Sequence, residues 1–197
     1  VVGIGPAALG LLGGLGQLTF GSMGALRLVL ILGLLPIGLI GMWRLSSPID
    51  SHWGRVVAVV LYAAVPLPYN ALVDGRWDTL LLVAAMPFVA LRIVRAFGVS
   101  PYRDLGRGFL HQSVALGFLV GVVVSFEPLV LMLVLIVSVA VAVTGCRSIG
   151  FIRWVRGLAI VVVALGVGSL MHFPWVAVLG DTDAVLYHIL GRSSAPV

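Results

Sequence analysis

The chain contains no lysine, a single cysteine and a single glutamate, and only 10% of its 197 residues are charged. Each scarcity excludes something. One cysteine, Cys146 beside Arg147, cannot form an internal disulfide and cannot build a cysteine metal cluster. Without lysine every basic side chain is arginine, a usage that suggests a GC-rich bacterial genome. The isoelectric point near 10.4 is no nucleic-acid signature, because no basic run with interleaved aromatics occurs and the arginines fall between apolar segments. No phosphate-binding glycine loop, nucleophile elbow or dinucleotide fingerprint is present. A segment of soluble composition is missing too, and no internal repeat is visible. What fills the chain is apolar: 61% hydrophobic residues and a mean hydropathy of +1.20, outside the range of soluble domains.

A spanning helix needs about 20 mostly apolar residues. Seven segments meet or approach that: Val1–Leu18, Leu26–Met42, Arg55–Pro66, Thr79–Ala96, Leu110–Phe126, Leu129–Thr144 and Gly157–Phe173. The expectation is an all-α, polytopic transmembrane bundle of about seven spans forming one domain over residues 1–197. The first segment is rich in glycine, which lets helices approach closely in lipid and predicts a buried helix. The third is short, and Tyr69-Asn70-Ala71-Leu72 extends it as a broken or interfacial turn. Residues 110–144 are too long for one span, and Glu127-Pro128 divides them, since proline disfavours helix before and within itself. A tight hairpin at Phe126-Glu127-Pro128 follows. The apolar start at Val1 lacks the flanks of a signal peptide, and the chain reads as part of a longer protein.

The gaps between these segments alternate in charge. Arg44 and Arg55 share the first with Asp50, and Arg92, Arg95, Arg103 and Arg107 outweigh Asp104 in another. Arg147, Arg153 and Arg156 fill a third. The intervening gaps hold Asp74 and Asp78 around Arg76, then Glu127, then Asp181 and Asp183. Cytoplasmic loops carry the arginine and lysine excess. The arginine-rich gaps are therefore expected in the cytosol, with the N-terminus inside and the C-terminus outside. Trp43, Trp53, Tyr69, Trp77, Trp154 and Trp175 fall at predicted helix ends, as an aromatic belt requires.

Five of the seven acidic residues then face outward. An outer carboxylate within reach of an acceptor hydroxyl can serve as a general base, so Asp74, Asp78 and Glu127 are the candidate catalytic residues. The competing reading makes them solvated loop residues. Glu127 stands between two apolar segments, where a carboxylate is costly, or else it marks a hairpin turn in headgroup-level water. The densest polar stretch is Pro66 to Asp78. There Arg76 can hold phosphate with a planar donor fork, Trp77 can stack on a sugar, and Tyr69 and Asn70 complete a substrate-binding set. Alternatively Asp74, Arg76 and Asp78 pair with one another in an aromatic-anchored loop. His111 and His172 sit at membrane edges, and His172-Phe173-Pro174-Trp175 reads as a helix terminus in the interface. His188 near Asp181 and Asp183 matches no metal signature. The cofactor is open, a divalent metal among the options.

The stretch Leu67-Pro68-Tyr69-Asn70-Ala71-Leu72, Gly75-Arg76-Trp77 and Ala84-Ala85-Met86-Pro87-Phe88, with Phe173-Pro174-Trp175, resembles large actinobacterial envelope proteins. In these, a family 2 glycosyltransferase domain precedes a multi-spanning region of GT-C style. The soluble catalytic motif of that family is absent from this chain. The resemblance implies a membrane region in the lipid bilayer, working with a polyprenyl-linked sugar donor or acceptor and with the remainder of a longer chain. It places Asp74 and Asp78 where a GT-C enzyme holds an acidic residue on an early outer loop. Two other classes fit the same spans: a transporter or flippase-like module using Glu127 as a proton or ion site, and a non-catalytic anchor for an upstream domain.

Overall fold

A computed structural model describes residues 13–17, 21–99, 101–102, 108–127, 130–145 and 150–172. Of these, 83% are helical and none is in a strand. Seven helices follow one another: α1 (Met23–Leu45), α2 (His52–Ala63), α3 (Pro66–Val73), α4 (Trp77–Phe97), α5 (Phe109–Val124), α6 (Val130–Gly145) and α7 (Phe151–Leu170). Four stretches are long and apolar enough to cross a membrane: Gly24–Leu45, His52–Val73, Asp78–Phe97 and Phe151–Leu170. Helices α5 and α6 are apolar but only 16 residues each, about 24 Å at 1.5 Å per residue. Six of the seven expected spans thus correspond to helical stretches. Of the expected first span only 13–17 are described; they are helical, and Gly13 and Gly14 there have nothing within 4 Å.

Local chemistry fixes the boundaries. Ser22 and Ser51 cap α1 and α2, their hydroxyls accepting from Ala25 and Gly54 backbone N–H groups, which satisfies donors a helix start leaves bare. Helix α2 stops before Pro66, and Pro66 opens α3 at its first turn, the one place where a missing N–H costs nothing. The expected broken element over Tyr69–Leu72 is α3, a two-turn helix that completes the apolar stretch His52–Val73.

Helix α4 is the hub and touches α1, α3, α5, α6 and α7. Ala85, Val89, Ile93 and Phe97 of α4 meet Leu116 and Val120 of α5, Val134 of α6, and Ile160 and Ala164 of α7 in the main core. A smaller cluster joins Leu34 of α1, Ala71 of α3, and Leu80 and Ala84 of α4. Around both lies an apolar exterior, with Leu32, Leu61, Phe118, Ile136 and Val162 all exposed. A folded chain leaves so much apolar surface uncovered when its solvent is lipid.

Small residues set the closest approaches. Gly117 and Gly121 of α5 lie against Ala164 and Gly168 of α7, and a β-carbon on Gly117 would stand 2.6 Å from the Ala164 carbonyl oxygen. Close glycine packing is the expectation for the first span; there Gly13 and Gly14 are exposed, and the remainder lies largely outside the described residues. Helices α5 and α6 form the two arms of the expected hairpin, but α5 packs chiefly along α7.

Polar backbone groups at membrane depth need partners. Pro87 lies inside α4 and has no N–H to offer the carbonyl four residues before it, that of Val83. The Tyr62 hydroxyl of α2 donates to that carbonyl at 2.6 Å. Tyr62 thus replaces the bond Pro87 removes. Tyr62→Phe should cost about 0.6–1.7 kcal/mol, the range of membrane hydrogen bonds. In a Pro87→Ala background the restored N–H should make the same change close to neutral. Chemical unfolding of the four variants gives the coupling, and equal Tyr62→Phe costs in both backgrounds would refute the assignment.

Short connections make successive helices antiparallel, and the cross-contacts agree. At one end the Tyr102 hydroxyl donates to the Leu45 carbonyl, Trp154 Nε1 donates to the Ala142 carbonyl at 3.0 Å, and Gly157 abuts Phe97. At the other end Ser125 meets His172 and Arg27 meets Gly75. The first end carries Arg44, Arg55, Arg92, Arg95, Arg153 and Arg156 with Asp50. The second carries Asp74, Asp78 and Glu127 with Arg27 and Arg76. The charges of the described residues are sorted between the two ends of one bundle.

Candidate functional site

The site at the acidic end is built on the turn from α3 to α4. Asp74 closes α3, and Gly75 follows with a φ of +66°, a left-handed conformation that favours glycine. The Gly75 N–H donates to the Leu72 carbonyl at 3.2 Å and the Arg76 N–H to the Ala71 carbonyl at 2.7 Å. This is the paired bonding of a Schellman motif, and it holds a sharp reversal between two helices. Ala71 and Pro68 are buried beneath it, so α3 is seated on the bundle while Tyr69, Asn70 and Asp74 are exposed.

Helix α4 begins directly after this turn with Asp78 in its first turn, where the helix dipole favours a carboxylate. Arg76 Nη2 stands 3.9 Å from Asp78 Oδ2, a loose ion pair at a wet surface. The expected mutual pairing of Asp74, Arg76 and Asp78 is therefore found for Arg76 and Asp78, while Asp74 has no side-chain partner among the described residues. Trp77 is the first residue of α4, and its side chain lies outside the described residues.

A second guanidinium also reaches this turn. Arg27 of α1 places Nη2 2.9 Å from the position a β-carbon on Gly75 would take. Sequence reasoning missed it because Arg27 lies within the second apolar segment; the available signal was its place one turn after the helix-capping Ser22. The turn thus carries one cation and two carboxylates and is reached by a second cation from α1. Carboxylates can accept a proton from a hydroxyl nucleophile, and guanidiniums can bind phosphoryl oxygens.

Glu127 lies at the same end, on the turn between α5 and α6, and is 7% exposed. The residue as a whole is largely covered, and its side chain has no partner among the described residues. Its backbone N–H caps α5 through the Val123 carbonyl at 2.9 Å. His172 follows the end of α7, the helix terminus expected of it. It is 8% exposed and turns inward to Ser125, Nε2 to Oγ 3.1 Å, while Nδ1 bonds the Gly168 carbonyl at 2.8 Å. Its Phe-Pro-Trp neighbours lie outside the described residues.

At the basic end, Arg55 donates to the Ile49 and Ser47 carbonyls at 2.8 and 2.7 Å and so braces the turn between α1 and α2. Burial raises the Tyr102 phenol above its usual range, with Arg95 opposing. His111 is exposed on α5 beside a shallow apolar groove with Val114 and Phe118, far from the carboxylates. No group of three or more histidine, cysteine or acidic residues suited to a metal occurs among the described residues. Asp181, Asp183, His188 and Trp175 lie outside the described residues. No family model matches the chain, and no curated protein or solved structure is significantly similar to it.

Proposed function

We propose that the chain is the membrane region of a bacterial cell-envelope glycosyltransferase, GT-C-like in fold, acting on a polyprenyl-phosphate-linked sugar or glycan at the extracytoplasmic face. The observation that carries this is that Asp74, Arg76 and Asp78 share one turn, reached by Arg27 of α1, at the arginine-poor end of an apolar bundle. By the inside preference of basic residues, the end holding Arg44, Arg55, Arg95, Arg153 and Arg156 faces the cytosol. In this reading the turn lies outside, and with the expected first span before α1 the N-terminus lies inside and the C-terminus outside.

In this reading Asp74 or Asp78 takes the proton of the acceptor hydroxyl, Arg76 and Arg27 bind the donor phosphate, and Glu127 supports the site. Tyr69, Asn70 and Trp77 border the turn and supply sugar contacts. Were a divalent metal used, Asp74 and Asp78 would be the residues to hold it, and it would supply charge neutralisation for the donor phosphate. The test is sugar transfer from a polyprenyl-phosphate donor by membranes carrying Asp74→Asn, Asp78→Asn or Glu127→Gln. Full activity in all three variants would end the catalytic reading.

A second reading, a proton-coupled transporter or flippase-like module, is favoured by one finding: Glu127 and His172 are both ionisable and both buried at the same end. Embedded ionisable residues mark ion pathways.

A further inference from the structure

Helix α4 begins without a cap. Arg76 stands at the N-cap position and its side chain makes no capping bond. The first helical bond runs from the Leu80 N–H to the Arg76 carbonyl, at 3.4 Å. The N–H groups of Trp77, Asp78 and Thr79 therefore have no acceptor among the described residues. Aligned peptide dipoles make such a helix start attractive to an anion.

Water can satisfy a bare helix start, but Thr79 adds a second and separate observation. It is 9% exposed, and its hydroxyl has no partner among the described residues. Ser113, Ser125 and Thr144 each donate to the carbonyl four residues earlier in their own helices; Thr79 makes no such bond. Among the described residues, Ser138 Oγ is the one fully enclosed side-chain polar atom without a partner. The Thr79 hydroxyl, also unpartnered, is thus not sealed inside the bundle and opens to the surface. A helical side chain leans toward the N-terminus of its helix, which carries this hydroxyl back over the three unbonded N–H groups. A buried hydroxyl is normally hydrogen-bonded, and here the donors beside it lack an acceptor too.

Two guanidiniums flank the same turn. Arg76 is tied only loosely to Asp78, at 3.9 Å. Arg27 reaches Gly75, two residues before α4, and has no partner among the described residues. Asp74 and Asp78 oppose an anion here, and the two guanidiniums offset them.

We infer that the first turn of α4 is a phosphoryl-binding site, in which the Thr79 hydroxyl and the N–H groups of Trp77, Asp78 and Thr79 donate to phosphoryl oxygens while Arg27 and Arg76 balance their charge. Thr79 is then a binding residue for a phosphate monoester or diester. The inference deepens the proposed function, on which it rests only for the identity of the carrier: the polyprenyl donor supplies the phosphate there, and a phospholipid headgroup offers the same chemistry.

Calorimetric titration of the full-length protein in a phosphate-free maltoside detergent tests this, with a short-chain prenyl phosphate and the matching prenol as probes. The wild type should bind the phosphate more tightly than the prenol. Thr79→Val keeps the shape and removes the hydroxyl; it should weaken the phosphate by about 10–100-fold, the worth of a hydrogen bond to a charged group, and leave the prenol unchanged. Thr79→Ser should bind as the wild type does, and Arg27→Gln should weaken the phosphate alone. An unchanged melting temperature in Thr79→Val would show that the loss is one of binding. Equal wild-type affinity for phosphate and prenol would overturn the inference, as would undiminished phosphate binding in Thr79→Val. Competition by phosphatidylglycerol equal to that of the prenyl phosphate would uphold the site and assign it to headgroups. Intact phosphate binding beside full sugar transfer in the Asp74→Asn, Asp78→Asn and Glu127→Gln variants would uphold it while ending the catalytic reading.

Discussion

Replacing Gly117 by alanine should destabilise the protein, whereas the same change at Gly166 should leave it unchanged or slightly firmer. Both glycines are helical, and the substitution adds one methyl group in each case. At Gly117 that methyl would meet the Ala164 carbonyl oxygen at 2.6 Å and Val167 Cβ at 2.7 Å. Neither neighbour is the free end of a flexible side chain, so α5 and α7 must separate. Overpacking of this kind costs about 1–3 kcal/mol, equivalent to several degrees of melting temperature for a domain of this size. At Gly166 nothing lies within 4 Å, and alanine's better helix propensity is worth up to about 1 kcal/mol. Gly117→Leu should go further and leave little folded material. Thermal unfolding in detergent decides the matter, and equal shifts for the two alanine variants would show that α5 and α7 do not pack as described.

The largest functional effect is expected at the turn after α3. Asp74→Asn or Asp78→Asn, whichever residue is the base, should reduce sugar transfer by about 10²–10⁴-fold, the contribution of a positioned general base. Stability should hardly move. The Arg76–Asp78 pair is long at 3.9 Å, with side chains 59% and 33% exposed, and exposed pairs contribute about 0–1 kcal/mol. Loss of activity with an unchanged melting temperature would therefore report chemistry and not folding. Asp50→Asn, at the opposite end of the bundle, should retain full transfer. If Asp50→Asn were as impaired as the two turn variants, the acidic end would have no special claim to the reaction.

Much of the fold was legible because lipid imposes a coarse code. Uninterrupted apolar length predicts a span, and Pro66 opens a new helix where the third segment is expected to break. The six described stretches fall close to their predicted positions for that reason. The charge sorting was legible as well, since it depends on loop composition alone. What sequence could not give was lateral pairing. Nothing in the periodicity of α5, apolar all round, says that α7 and not α6 is its main partner. That choice rests on Gly117, Gly121, Ala164 and Gly168 meeting across an interface. The same limit hid Arg27, which lies far in sequence from Gly75, and the contact of His172 with Ser125, 47 residues away. Tyr62 is a third case, because its role depends on a proline in another helix.

The central claim is that the two charged ends lie on opposite sides of a membrane, with the Asp74–Asp78 turn outside. Single cysteines at Asp74, Glu127, Arg55 and Arg153, in a Cys146→Ser background, can be challenged in intact cells with a membrane-impermeant thiol reagent. The account predicts that Asp74→Cys labels from outside, that Arg55→Cys and Arg153→Cys label only after permeabilisation, and that buried Glu127→Cys reacts slowly, and from the outer side alone. Labelling of Arg55→Cys and Arg153→Cys in intact cells, with Asp74→Cys protected, would invert the bundle and remove the outer-face site with it.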